Sequence, residues 1–97
     1  MNAAEFDKTY RKRLEALATT NIADALDALG MHKFAYGINP MNSQVRKIIG
    51  RAVTVKITAA GMTKSQKHMC ITSIAVAEPG DVIVIDNGGR GDTNCWG

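Results

Sequence analysis

The chain is poor in aromatics, cysteine, proline and long apolar runs, and each scarcity closes off a class of function. Two Phe, two Tyr and one Trp offer no stacking platform for single strands, so no direct nucleic-acid partner is expected. Two cysteines, Cys70 and Cys95, are too few for a disulfide framework and too far apart for a C-x-x-C redox or metal pair. A reducing compartment, the cytoplasm, is therefore the expected location. No apolar run approaches the roughly 18 residues of a transmembrane helix, and the polar start MNAAEFDKTYRKR does not lead into a signal-peptide core. No membrane partner is expected.

What is present points to an ordinary packed domain. A length of 97 residues bounds the chain to one domain, and 45% hydrophobic with 22% charged residues lies far from the composition of disorder. The formal charge of +3 is partly concentrated in Lys8, Arg11, Lys12 and Arg13. Such a run is usually a solvated helix face and only occasionally a nucleic-acid patch.

Phe6, Tyr10, Leu14 and Leu17 recur at helical spacing and predict an amphipathic helix between Ala3 and Leu17. Thr19, Thr20 and Asn21 then break the pattern, and Asn21 with Asp24 three residues on resembles a capping box. A second helix is expected from there through Ile22, Leu26 and Leu29, stopping at Gly30. Met31 to Ser43, with Gly37 and Asn39-Pro40, reads as a long ordered loop. Alternation of Val53, Val55 and Ile57 with Thr54, Lys56 and Thr58 predicts a half-exposed strand over Arg51 to Thr58. Gly61 to Lys64 is a break. His68 to Ala77 reads as a helix ended by Pro79-Gly80. Asp81 to Asp86, DVIVID, is apolar on both faces, as for a parallel strand covered on both sides. Strand, helix and strand together predict an α/β chain with a right-handed βαβ unit.

In α/β sheets ligands bind beyond the carboxyl ends of strands, where Asn87, Gly88 and Gly89 lie. The two glycines permit positive φ and close ligand approach to backbone N–H groups, although a tight turn needs the same residues. Arg90 has the fork to pair with a carboxylate, or is an exposed loop arginine. Arg90-Gly91-Asp92 spells a cell-adhesion tripeptide, which three residues reproduce by chance. His32 and His68 have no partner ligands at metal spacing and read as structural or surface residues. Capping and solvation account for Asp24 and Asp27, and Trp96 reads as a core or interface anchor.

Taken jointly, TTNIADALDALG, GINP, GRAVTVK, AVAEPGDVIVIDNGG and CWG occur in the order found in the RraA-like family, which the chain resembles from Thr19 to Gly97. That family includes the regulator of ribonuclease activity A and the 4-hydroxy-4-methyl-2-oxoglutarate aldolases; members were often labelled demethylmenaquinone methyltransferases. The resemblance implies a swivelling β/β/α fold, with residues 1–18 as an amino-terminal helix ahead of the family region 19–97. It implies trimers or pairs of trimers and, in the aldolase branch, cleavage to pyruvate with a divalent cation, magnesium or manganese. A metal and an arginine would stabilise the pyruvate enolate. Backbone N–H groups after the WG turn would hold the substrate carboxylate.

The resemblance makes Gly97, with Gly88 and Gly89, the expected substrate-binding residues. In the family a G-x-x-R-D motif further along supplies the arginine and the metal-binding aspartate; Arg90 and Asp92 precede the turn and do not match it. The expectation is thus a single domain incomplete at its carboxyl end, with no catalytic residue, metal ligand or cofactor of its own and inactive alone. The complete protein would be a metal-dependent pyruvate aldolase, with oxaloacetate decarboxylation as a related activity, acting on a small 2-oxo dicarboxylic acid. The alternative is a non-catalytic regulator that binds a ribonuclease.

Overall fold

The computed structural model describes residues 1–89 apart from Val45, Ala60 and Met69. The expectations for Arg90, Asp92, Cys95, Trp96 and Gly97 lie outside the described residues.

The helix expected at the start is present as three consecutive pieces: α1 (Ala3–Phe6), a π-helical segment (Asp7–Arg11) and α2 (Lys12–Glu15). Asn2 caps it: its side chain accepts from the Glu5 amide at 2.8 Å while the Glu5 carboxylate accepts from the Asn2 amide at 3.0 Å. The widened turn is not readable from a 3.6 periodicity, because a π-turn inserts a residue without altering the apolar spacing on either side. Phe6 and Tyr10 still meet, with ring centroids 5.8 Å apart. Lys47 closes the other end, its ammonium donating to the carbonyls of Glu15 (2.8 Å) and Leu17, as favours a cation at a helix carboxyl terminus.

α3 (Thr19–Ala28) is capped at Ala18, three residues before the expected cap at Asn21. Asn21 is not its N-cap; it lies in the first turn, and its side-chain oxygen accepts from the Ala18 amide at 2.9 Å, so the proposed pairing with Asp24 is replaced. Its end is as read: Gly30 has φ +70, the Gly30 amide donates to Asp27 O (2.9 Å) and the Met31 amide to Leu26 O (2.8 Å), the paired bonds of a Schellman motif. The segment from Met31 to Arg51 has no regular structure among its described residues.

β1 (Ala52–Lys56), α4 (Ile71–Val76) and β2 (Val82–Asp86) form the strand–helix–strand unit, with α4 packed on β1. The strands are parallel, in register from Ala52 opposite Val82 to Lys56 opposite Asp86. α4 is shorter than its apolar pattern, since Cys70 at φ +68 bars the helix from extending backward. The reading of β2 as covered on both faces is corrected: Val84 is 44% exposed and the strand is only half-buried. An apolar run encodes the capacity for two covered faces; here the described residues supply no second layer.

The packed domain expected from composition is sparsely filled among the described residues. Among the described residues only Ala3, Cys70 and Ser73 are buried, and no large side chain is fully enclosed. The accessible surface is 8336 Å², against roughly 5,400 Å² for a compact monomer of this mass.

Candidate functional site

The parallel register brings the amino ends of both strands together on one side and their carboxyl ends on the other. The amino-end side is a polar node. The Arg51 guanidinium grips Asp81 in bidentate fashion, Nε to Oδ1 at 3.0 Å and Nη2 to Oδ2 at 2.6 Å, and reaches Glu78 Oε2 at 2.9 Å. Glu78 Oε2 also accepts from the Ala3 amide at 3.0 Å, and Arg51 Nη1 donates to Met1 O at 2.9 Å. The Glu78 amide donates to Asp81 Oδ2 at 2.8 Å.

The Asp81 side chain is 1% exposed. The hydrogen bond from Arg51, then that from the Glu78 amide, hold its carboxyl below the ordinary range against the opposing effect of burial. The same bond raises the Arg51 guanidinium above its usual value. Arg11 completes this end: its Nη1 donates to Ile49 O at 2.9 Å, and Nη2 is held by Asp7 at 2.7 Å. Gly50 lies so close to Gly80 that a Cβ on Gly50 would stand 2.2 Å from the Gly80 carbonyl oxygen.

The carboxyl-end side carries a glycine turn. Gly88 and Gly89 take φ +64 and +72, a left-handed pair just past β2. The Asp86 carboxylate accepts from the Gly88 amide at 2.8 Å, closing a turn and engaging one of the two glycine N–H groups. Among the described residues, a Cβ on Gly89 would meet nothing within 4 Å. The structure thus places Gly88 and Gly89 together at this end, with room beside Gly89.

A cleft of about 410 Å³ runs between β1 and the chain leading into α4, lined by Val53 to Thr58 on one side and by Thr63, Ser65, Lys67 and His68 on the other. Thr58 and Thr63 join hydroxyls at 2.6 Å across it. Cys70 is buried at its inner end, and the Ser73 hydroxyl donates to the Cys70 carbonyl at 2.6 Å. The reading of the sequence passed over Lys56, Thr58, Thr63, Ser65 and Lys67; the run of hydroxyl and basic residues in TKSQKH was the available signal.

His32, 81% exposed, pairs with Asp27 at 3.0 Å on the surface and takes no part in the cleft. Among the described residues no three His, Cys, Asp or Glu side chains are grouped as metal ligands. The cleft offers hydroxyls, ammoniums, one imidazole and one thiol, whereas magnesium and manganese take carboxylate and other oxygen donors. The described residues therefore do not fit the divalent cation, and no chemical step is derived through it. Among the described residues no helix is long and apolar enough to cross a membrane.

Protein DlpA of Legionella pneumophila subsp. pneumophila is 37% identical over 99 residues. The match takes in 99% of this chain but 16% of DlpA, so the chain spans about one sixth of that relative. No solved structure matches the chain. The family profile described as Aldolase/RraA matches residues 19–97, the stretch that carries both strands, α3, α4 and the glycine pair, and the chain belongs to the RraA-like family.

Proposed function

We propose that this chain forms one wall of the site of a pyruvate-releasing lyase, in a protein that cleaves a small 2-oxo dicarboxylic acid. The observation that carries the reading is the left-handed Gly88-Gly89 pair beyond a parallel strand, in a chain matched by the Aldolase/RraA profile. Cleaving the carbon–carbon bond of such an acid leaves the electron pair on pyruvate as an enolate, and the enzyme's task is to hold the carboxylate while that charge develops. The Gly89 backbone, unobstructed by a side chain, supports a carboxylate-orienting role. In this reading the described wall orients the acid, and the groups that move the proton and stabilise the enolate lie elsewhere in the protein.

The test is pyruvate release from 4-hydroxy-4-methyl-2-oxoglutarate and from oxaloacetate, with magnesium, with manganese and with chelator. Release is expected from a protein that carries this chain together with the reacting-centre groups, and is expected to fall on Gly89→Ala. No release from either acid by that protein overturns the reading. Release by the 97-residue chain alone at an enzyme's rate would overturn the division of labour.

Self-association into trimers or hexamers belongs to the same proposal. Leu29, Met31, Phe34, Tyr36, Ile38 and Met41 are all exposed, Tyr36 at 89% and Met41 at 99%, a display that marks association surfaces.

A second reading, a regulator that binds a ribonuclease without catalysis, is favoured by one feature: Lys8, Lys12 and Arg13 are exposed, while Arg11 is engaged by Asp7 and Ile49. Capture of a ribonuclease, weakened by reversing those three charges and unaccompanied by lyase activity, would select it.

A further inference from the structure

The hydrogen bonding of β1 leaves one of its edges without a partner among the described residues. The Val82 amide donates to Arg51 O at 2.9 Å and the Ile57 amide to Asp86 O at 2.8 Å. In a parallel ladder this phase turns the backbone groups of Arg51, Val53, Val55 and Ile57 toward β2, and those of Ala52, Thr54 and Lys56 toward the opposite edge. The described sheet has two strands, so no described strand covers that edge. The 410 Å³ cleft lies along it. Every residue from Val53 to Thr58 lines the cleft, and because side chains alternate between faces, an unbroken run of lining residues marks a groove that follows the backbone.

We propose that β1 docks an extended, carboxylate-bearing peptide segment along this free edge, as an added strand lying in the cleft. The backbone of Ala52, Thr54 and Lys56 supplies the ladder bonds, as in other cases of strand addition. The choice of an acidic occupant comes from the charge of the walls: Lys56 on one side and Lys67 on the other, with no Asp or Glu among the described lining residues. A second copy of the chain is the less suitable occupant, since it would bring its own Lys56 and Lys67 into the same groove. An edge lysine is a common guard against self-pairing, and here the same residue attracts an opposite charge. This inference stands on the edge of β1 and is independent of the lyase reading, which rests on the glycines after β2.

The test uses the chain with a short blocked peptide of alternating valine and glutamate, followed by amide hydrogen exchange and by titration at two salt concentrations. Binding is expected to slow exchange at Ala52, Thr54 and Lys56 and to weaken with salt. Thr54→Pro removes an edge N–H while leaving the β2-facing bonds of Val53 and Val55, and should weaken the peptide about tenfold or more. Lys67→Glu, a surface change that keeps the strand intact, should do the same whether or not the proline variant folds.

Four results would overturn the proposal. They are unchanged exchange at those three amides, equal binding of the peptide with lysine for glutamate, the same protection pattern from citrate alone, and concentration-dependent dimerisation of the free chain that protects the same amides. The third would assign the cleft to a small anion, and the fourth to a second copy.

Discussion

The two ends of the β1–β2 pair are built on opposite principles. At the amino end, Arg51, Glu78 and Asp81 saturate one another and the backbone of Met1 and Ala3, and Gly50 and Gly80 touch with no room for a side chain. At the carboxyl end, Gly88 and Gly89 form a left-handed pair past the strand, and among the described residues a Cβ on Gly89 would touch nothing. One end spends its polar groups on holding the strands together, while at the other Asp86 closes a local turn on the Gly88 amide. The same strands serve both purposes, and the chain separates them by the length of a five-residue strand.

Mutations at the two ends should therefore differ in kind. The largest effect is expected from Gly50→Ala, whose methyl must displace the Gly80 backbone and Val82; a loss of about 3 kcal/mol or more, or of cooperative unfolding altogether, should appear in urea denaturation. Next come Arg51→Met and Asp81→Asn, each of which strands a partner in the node. Arg51→Lys should recover only part of the loss, because an ammonium lacks the bidentate fork.

The pH dependence follows from Asp81. Its carboxyl is held below the ordinary range, so its contribution is fully present above the unfolded-state value and disappears as pH falls through the lowered folded value. The stability gap between the wild type and Asp81→Asn should accordingly be widest near neutrality and close on acidification, as measured by thermal unfolding across pH. A gap that persists in acid would show that the node acts through packing rather than charge.

At the carboxyl end, Gly89→Ala forces a left-handed alanine and should cost about 1 kcal/mol of stability, far less than Gly50→Ala, while removing carboxylate binding. The smallest effect belongs to Lys12→Ala on the exposed helix, within about 0.5 kcal/mol of wild type. If Gly89→Ala were as damaging as Gly50→Ala, the contrast between the ends would fail.

The local features of this design were legible in the sequence. The stop at Gly30, the alternation of β1, and the strand–helix–strand order all follow from rules that act over a few residues. The positive φ of Gly88 and Gly89 just past β2 follows from the same local rules. The node was not legible: Arg51 and Asp81 are 30 residues apart, and nothing near either residue announces the other. The π-helical segment preserved the apolar spacing that hid it, and Cys70 adopts a backbone conformation that its residue type does not advertise. The exposed face of Val84 taught a different lesson, since an apolar strand states what can be covered and leaves open what covers it.

The attachment of the first residues to the node has a mechanical consequence. Met1 O and the Ala3 amide are bonded to Arg51 and Glu78, so tension applied at the amino terminus is passed to the segments leading into both strands at the very start of α1. In a single-molecule pull from that end, the guanidinium clasp is the first link in the load path, and α1 unravels only after it has given way.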